Sequence, residues 1–459
     1  MADPLLEFFT QMDIQGGVVV KGEYAPKFDL DLYIQNYRGR TKFDRLLLIG
    51  RSSVKLCVEA LKAALAEAKR GRDTRRYRDV FEYLHIAAPN DPDAVFDKKW
   101  VDRQDLANHE ETQRLLTELK GYKNNLVKES IRMGNEDLAK HYEATGDLNA
   151  ASEHYAKMRP DVSTAKHLID VGKHLVRVAV QRKEWSMILP HLAKMTLGGQ
   201  YPEEERNAQP FIRVATGIAC LGLDKYYEAA LAFLDADPTV PSKAYNELAS
   251  RNDIAVYGGL LALATMDRKE LQSMVLENQN FRTFLEPEPH IRRAVTMFVN
   301  GRYSDCIEIL EGYRTDYLLD VYLQKHVSKI YAKIRSKCVV QYLIPFSCVS
   351  LDTLEKAFGS PEKPIEDELA VMIEEGVLEA RIDGIARLVN TVKVDPRAQM
   401  QASALVSAEN YEKQAIERLR RMAIAAADLE LPLTKKQGVP QPLGLGADLS
   451  FGDQEIVMG

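Results

Sequence analysis

Apolar residues recur through the middle of the chain with the spacing of one face of a helix. From Leu148 they fall at offsets of 0, 3, 7 and 10 residues, which is the period of a helix with one buried side. Gly146 and Asp147 separate this stripe from an amphipathic stretch that ends at Tyr142. A helical hairpin of this kind cannot bury its apolar face alone, so the pattern predicts further copies that stack on it.

The same pattern returns further along the chain. It begins again at Trp185, Tyr226 and Tyr303, and a weaker copy begins at Leu271. The intervals of 37, 41, 45 and 32 residues lie irregularly around the roughly 34 residues of a tetratricopeptide repeat. We therefore predict a mainly α fold, a right-handed solenoid of tetratricopeptide-like helical repeats. Unrelated amphipathic helices in one large α domain are the alternative.

The pattern changes after about residue 335. Residues 338–350 are expected to end an apolar helix, with a break at Pro345. Two short amphipathic helices follow, at 351–358 and 365–376, and then an alternating stretch over 378–389 that contains an Asp-Gly turn. Two helices and a hairpin in this order predict a winged helix.

The second of these helices is strongly acidic. Its acidic residues are Glu366, Asp367, Glu368, Glu374 and Glu375, and residues 365–376 contain no Lys or Arg. A helix that enters the major groove of DNA needs basic residues, because it faces phosphates. We therefore expect the winged helix to dock on protein and not on DNA.

A long apolar stripe follows the hairpin. It comprises Leu405, Ala408, Tyr411, Ala415, Leu419, Met422, Ala426 and Leu429, in steps of three and four. Its length predicts a C-terminal helix that joins helices of other chains, with packing on its own domain as the alternative. The Pro- and Gly-rich residues 431–459 are expected to be flexible.

Composition places the chain among folded proteins of a reducing compartment. The net charge of −6 provides no general attraction to nucleic acid or to anionic membranes. The five cysteines are scattered and include no Cys-x-x-Cys pair, so a disulfide framework is not expected. The start of the chain lacks the basic segment of a signal peptide, and no stretch has the roughly 20 apolar residues of a membrane span. We expect a soluble protein of the cytoplasm and nucleus.

No motif for catalysis is present in the sequence. The nine histidines form neither His-x-His nor His-Glu-x-x-His, and there is no phosphate-binding glycine loop and no Gly-x-Ser-x-Gly elbow. The sequence therefore predicts no catalytic residue, no metal and no cofactor. The alternatives are a hydrolase with a metal site built from distant residues and a nucleic-acid adaptor.

A basic cluster lies near the N-terminus of the chain. Between residues 69 and 78 it includes Arg72, Arg75 and Arg76. It predicts a patch for an acidic partner surface or a nuclear-import signal, and a solvated loop between two helices is the alternative.

The order of solenoid, winged helix and C-terminal helix resembles the PCI family, whose members occur in the proteasome lid, the COP-9 signalosome and translation initiation factor three. The stretches NLVKESIRMGNEDLAKHY (125–142), NDIAVYGGLLALATMDRKELQ (252–272) and IEDELAVMIEEGVLEARID (365–383) are most similar to signalosome members. The resemblance covers about residues 28–430. The proteasome-lid and initiation-factor members are the alternatives within the family.

The resemblance implies a scaffold role. Signalosomes remove the modifier Nedd8 from cullin–RING ubiquitin ligases with a metalloprotease in a different subunit. The resemblance implies contacts with other signalosome subunits, of the PCI and metalloprotease types, and transient contacts with the ligases through the N-terminal part. The residues expected at the winged-helix interface are Leu378, Ile382 and Leu388. Those expected in a bundle of C-terminal helices are Leu405, Tyr411, Ala415, Leu419, Met422 and Leu429.

These observations predict six segments. They are a flexible N-terminal arm (1–27), an N-terminal helical region (28–134), the repeats (135–335), the winged-helix part of the PCI domain (336–395), the assembly helix (400–430) and a flexible tail (431–459).

Overall fold

The computed structural model of the chain describes residues 4–20, 26–162, 164–196, 202–359, 364–392 and 396–427. Within these ranges the chain is mainly helical, which confirms the predicted class of helical repeats, winged helix and long C-terminal helix. It divides into two compact units, Met1–Thr391 and Val392–Gly459. None of the helices described is both long enough and apolar enough to span a bilayer.

The N-terminal region is a group of helices around a core of its own. The helices are α1 (Pro4–Ile14), α2 (Leu30–Gln35), α3 (Gly39–Ser52), α4 (Cys57–Arg70), α5 (Thr74–Ala87) and α6 (Lys98–Asn125). Leu319, from the far end of the repeats, completes this core. The N-terminal region and the repeats therefore share packing.

The prediction of a flexible arm over residues 1–27 is corrected at its start. Helix α1 packs against α3 and α5 and buries Phe8, Phe9 and Met12 in the N-terminal core. Val20 then pairs with Ser53 in an isolated bridge. Three large apolar side chains on one face provide enough burial to hold a short helix that has little propensity by itself.

The repeats are pairs of helices. Their helices are α7 (Lys128–Thr145), α8 (Leu148–Lys157), α9 (Ala165–Gln181), α10 (Trp185–Thr196), α11 (Pro202–Gly222), α12 (Tyr226–Leu234), α13 (Arg251–Thr265), α14 (Arg268–Glu270), α15 (Gln279–Leu285), α16 (Pro289–Val299), α17 (Tyr303–Glu311), α18 (Arg314–Leu318) and α19 (Val327–Leu343). Four predicted stripes start where a helix starts, at Leu148, Trp185, Tyr226 and Tyr303. Each of these helices packs against the helix before it, so the stripes are the buried faces of hairpins.

The Gly-Asp break in the first hairpin has a conformational cause. Gly146 ends α7 in the left-handed region, at φ +93°, and its N–H donates to the carbonyl of Tyr142 at 3.0 Å. Asp147 then caps α8, because its carboxylate accepts from the N–H of Ala150 at 3.2 Å. A Cβ at Gly146 would also lie 2.3 Å from the carboxylate of Asp73, so this turn touches the N-terminal region.

The weak copy at Leu271 differs from a regular α-helix. Residues Leu271–Leu276 form a π-helical segment, which follows the single turn of α14. Its wider turn buries Val275 together with Leu271, and Met274, three residues along the predicted stripe, is half-buried against the same core. This local change of helix type is one of the irregularities among the repeats.

The winged helix contains a three-stranded antiparallel sheet of order β1-β3-β2. Its elements are β1 (Cys348–Ser350), α20 (Leu351–Phe358), α21 (Ile365–Glu374), β2 (Ala380–Asp383) and β3 (Leu388–Thr391). The predicted helices and hairpin are present. Ser350 caps α20, since its hydroxyl accepts from the N–H of Thr353 at 3.3 Å.

Strand β1 was missed in the sequence. Residues 338–350 were expected to end a helix, but α19 ends at Leu343 and Val349 pairs with Val389. A strand of three residues has no periodicity of its own, and its partner lies about forty residues further along the chain.

The second unit contains one described element, α22 (Pro396–Ala426). It has 31 residues, close to the predicted helix over 400–430. The predicted tail over 431–459 and Leu429 lie outside the described residues.

Candidate interaction surfaces

The apolar stripe of α22 is open to solvent. The exposed fractions are 62% for Leu405, 75% for Tyr411, 64% for Leu419 and 67% for Met422. Ala415 is half-buried. Large apolar side chains that line up on one helix face and remain exposed mark an interaction surface. The stripe thus has the exposure that a contact with helices of other chains requires.

The winged helix presents the tip of its hairpin and one strand edge. Ile385 is fully exposed at the tip, where the carboxylate of Asp383 accepts from the N–H groups of Ile385 and Ala386, both at 3.0 Å. Strand β2 is an edge strand of the described sheet, so one side of its backbone is free to pair. Ile385 was not among the predicted interface residues, because nothing local distinguishes a turn residue from a contact residue.

The three residues predicted at the winged-helix interface lie in different environments. Leu378 is only 6% exposed and belongs to the main core, so its assignment to an interface is corrected. Ile382 and Leu388 are half-buried. Alternation along the hairpin identifies two faces but does not say which face is covered by the protein's own helices.

Some carboxylates of the acidic helix α21 form ion pairs with arginines of the same chain. The guanidinium of Arg335 on α19 contacts the carboxylate of Glu368 at 2.7 Å, and Arg387 lies 3.6 Å from Glu366. Asp367 and Glu374 remain exposed. The outward surface of this helix is therefore negative, which is unfavourable next to phosphates.

The basic cluster at 69–78 is not a single patch. Arg72 and Arg75 are exposed, whereas Arg76 turns inward and contacts the carboxylate of Asp44 at 2.9 Å. Burial lowers the pKa of Arg76, and the carboxylate of Asp44 opposes that shift. The prediction that Arg76 faces a partner is corrected, because its charge is used to hold α5 to α3.

A buried ionic cluster around Arg45, which the sequence did not reveal, joins the N-terminal region to the repeats. The Arg45 side chain on α3 is fully buried and contacts the carboxylates of Asp253 at 2.9 Å and Asp320 at 2.6 Å. Its guanidinium also lies 4.0 Å from the centre of the Tyr37 ring. The Tyr257 hydroxyl donates to Asp320 at 2.7 Å. Every charge in this cluster has a partner, as burial requires.

Protonation within the cluster follows from burial and from the neighbouring charges. Burial disfavours the charged form of the Arg45 guanidinium and so lowers its pKa. The neighbouring Asp253, the hydroxyls of Tyr33 and Tyr37, and Asp320 outweigh this effect and hold the pKa above its ordinary value. Burial also raises the pKa of Asp253, and Arg45 counteracts that rise. The cluster is structural: it links the N-terminal region to the repeats and has a charged arginine at its centre. In the described part of the chain, no group of three or more His, Cys, Asp or Glu is placed to hold a metal ion.

Comparison with known proteins matches both parts of the fold. Residues 97–274 match the family of 26S proteasome subunit RPN7, and residues 310–393 match the PCI domain. COP9 signalosome complex subunit 1 of Neurospora crassa is 52% identical, over 95% of this chain and 96% of that protein. The proteins of the same name from Emericella nidulans and Arabidopsis thaliana are 46% and 35% identical. They are matched over 90% and 83% of this chain, and over 85% of each of those proteins.

The helical repeats, the winged helix and the match to residues 310–393 define a PCI-domain protein. Within that class, the sequence identity with the Neurospora crassa and Emericella nidulans proteins extends over nearly the whole chain and shows the family. The chain belongs to the COP9 signalosome complex subunit 1 family.

Proposed function

We propose that the chain is a non-catalytic scaffold subunit of a signalosome and that α22 joins it to neighbouring subunits. The observation that carries the proposal is the exposed stripe of Leu405, Tyr411, Leu419 and Met422. Burying one such side chain contributes roughly 1.5–3 kcal/mol, so four of them provide a strong drive for association. A bundle with similar helices of other subunits covers a stripe of this length.

The winged helix supplies a second contact. The free edge of β2 can accept a strand or loop of a neighbouring subunit, and Ile385 can enter an apolar pocket beside it. The acidic surface of α21 favours a basic partner surface at the same place. Two separate contacts, on α22 and on the wing, fix the chain in a larger assembly more firmly than either alone.

At the level of the complex, the proposal is removal of Nedd8 from cullin–RING ligases by a metalloprotease in another subunit. The names of the relatives, which are those of a signalosome subunit, support this proposal. The N-terminal region, with Arg72 and Arg75 exposed, is suited to contact an acidic ligase surface. We further propose that the protein acts in the cytoplasm and nucleus.

Affinity purification from the source cells, followed by mass spectrometry and an activity assay, tests the proposal. We expect the chain to be recovered with several PCI-domain subunits and a metalloprotease subunit, and the complex to cleave Nedd8 from a modified cullin. The purified chain alone is expected to show no cleavage and no bound zinc. Recovery as a free monomer, or cleavage by the isolated chain, would contradict the proposal.

A further inference from the structure

A cavity of about 340 Å³ lies in the first unit, between the start of α2, helix α13 and the segment from α16 to α18. Its volume falls in the range of small ligand sites. Five carboxylates line it, those of Asp29, Asp253, Glu288, Asp316 and Asp320. Aromatic rings form much of the remaining wall, including that of Tyr313. Carboxylates and ring faces together are the chemistry that accepts organic cations.

The chain already places a cation of its own against this wall. The ammonium of Lys27 lies 3.7 Å from the centre of the Tyr313 ring. The backbone N–H of the same residue donates to the carboxylate of Asp316 at 3.0 Å. Lys27 lies outside the helices, so one residue in a non-helical segment is held by both its backbone and its basic side chain. One basic residue of the chain itself is therefore held at this wall by an aromatic ring and a carboxylate.

Three of the five carboxylates form no ion pair with a Lys or Arg of the described residues: Asp29 caps α2, Asp316 accepts the backbone N–H of Lys27, and the third is Glu288. Asp253 and Asp320 are paired with Arg45, whereas no Lys or Arg of the described residues forms an ion pair with Glu288. Glu288 instead accepts from the Asn252 amide at 2.8 Å and lies 3.3 Å from the imidazole of His290.

The imidazole beside Glu288 does not supply a positive charge at neutral pH. Burial lowers the pKa of His290 to about 4, and burial raises the pKa of Glu288 to about 7. The Tyr317 hydroxyl lies 2.8 Å from Nε2 of His290, which leaves Nδ1 to face Glu288. Above pH 7, where Glu288 is ionised, an approaching cation therefore meets a carboxylate that has no ion-pair partner among the Lys and Arg residues described.

We propose that this cavity binds the basic side chain, arginine or lysine, of an extended peptide segment from a partner protein. The ligand cation occupies the space that Lys27 leaves open and contacts Glu288 and the aromatic wall. This site uses no residue of α22 or of the wing, so the proposal does not depend on the proposed assembly contacts. Lys27 opposes the ligand, because two cations then share one cavity.

The test is a fluorescence-anisotropy titration of the full chain at pH 8 with a labelled peptide of alternating Gly and Arg. The matched probe is the same peptide with citrulline in place of Arg, which keeps the shape and removes the charge. We expect Glu288→Gln to weaken binding of the Arg peptide about five-fold and Lys27→Gln to strengthen it about three-fold. Glu286→Gln changes an exposed carboxylate two residues away and is expected to leave binding unchanged.

Three results would overturn the proposal. They are equal binding of the Arg and citrulline peptides, equal weakening by Glu286→Gln and Glu288→Gln, and no detectable binding of the Arg peptide. A free amine such as spermidine that binds as tightly as the peptide would assign the cavity to small cations instead. Thermal unfolding of each variant confirms that the comparison is made between folded proteins.

Discussion

The guanidinium of Arg45 contacts the carboxylate of Asp253 at 2.9 Å across 208 residues of sequence. Arg45 lies on α3 and Asp253 on α13, so this contact joins the N-terminal region to the repeats. Asp320 closes the cluster from the segment after α18, 2.6 Å from the same guanidinium. The N-terminal surface and the repeats are thus held in one unit, the part of the chain that precedes the assembly helix.

Removal of the Arg45 side chain is expected to lower the free energy of unfolding strongly. Arg45→Leu leaves Asp253 and Asp320 buried without their cation, and breaking a buried pair in this way costs about 3–5 kcal/mol. Urea-induced unfolding measures the loss. Arg72→Leu is the matched control, because that arginine is exposed, and we expect a change within about 0.5 kcal/mol. Equal stability of the two variants would show that the cluster does not support the fold.

Close packing between paired helices gives a second prediction. A Cβ at Gly217 on α11 would lie 2.6 Å from the Phe233 ring on α12. Gly217→Ala is therefore expected to destabilise the chain by about 1–3 kcal/mol through overpacking. Gly121, in α6, has no atom within 4 Å of its Cβ position, so Gly121→Ala is expected to stabilise by about 0.5–1 kcal/mol. Thermal unfolding of both variants should give shifts of opposite sign, and shifts of the same sign would refute this account of the packing.

Ile385, at the tip of the hairpin, and Leu378, just before β2, are expected to respond differently to substitution. Ile385→Ala should leave thermal stability unchanged and weaken capture of the neighbouring subunit, because its side chain is fully exposed. Leu378→Ala should lower the free energy of unfolding by about 2–5 kcal/mol, because its side chain is in the core. Unfolding curves and pull-down with the reconstituted partner separate the two effects. A large loss of stability in Ile385→Ala would contradict the assignment.

The stability of the chain is expected to depend on pH through Glu288. Burial raises the pKa of this group from 4.5 to about 7, so the folded chain holds its proton more tightly than the unfolded chain. Its contribution to stability is complete below pH 4.5 and is lost as the pH rises through 7. Glu288→Gln removes this loss.

The melting temperature of Glu288→Gln relative to the natural chain should therefore rise between pH 5 and pH 8, with scanning calorimetry as the measurement. Burial lowers the pKa of His290, so the contribution of this group to stability increases as the pH rises. It does so in both proteins and therefore cancels in their difference. Glu286→Gln is the control, and its difference from the natural chain should stay constant. A constant difference for Glu288→Gln as well would contradict the raised pKa.

Local periodicity explains what was predictable from the sequence. The starts of the hairpin helices at Trp185 and Tyr226 follow from 3.6-residue spacing, which a single segment displays by itself. The pairing of β1 with β3 and the cluster around Arg45 join residues that are far apart in sequence. No local pattern predicts such contacts. Leu378 was placed on the wrong side of the hairpin for the same reason, because only the packed helices decide which face is inside.

The central claim is that the stripe of α22 holds the chain in its complex. The direct measurement is co-purification of the reconstituted complex with a double variant, Leu419→Asp and Met422→Asp. We expect the variant to be released while the first unit remains folded, because burying two unpaired carboxylates is costly. The matched control places Asp at Gln399 and Asn410, which lie on the opposite face of the same helix and should leave the complex intact. Retention of the stripe variant, or equal release of both variants, would contradict the claim.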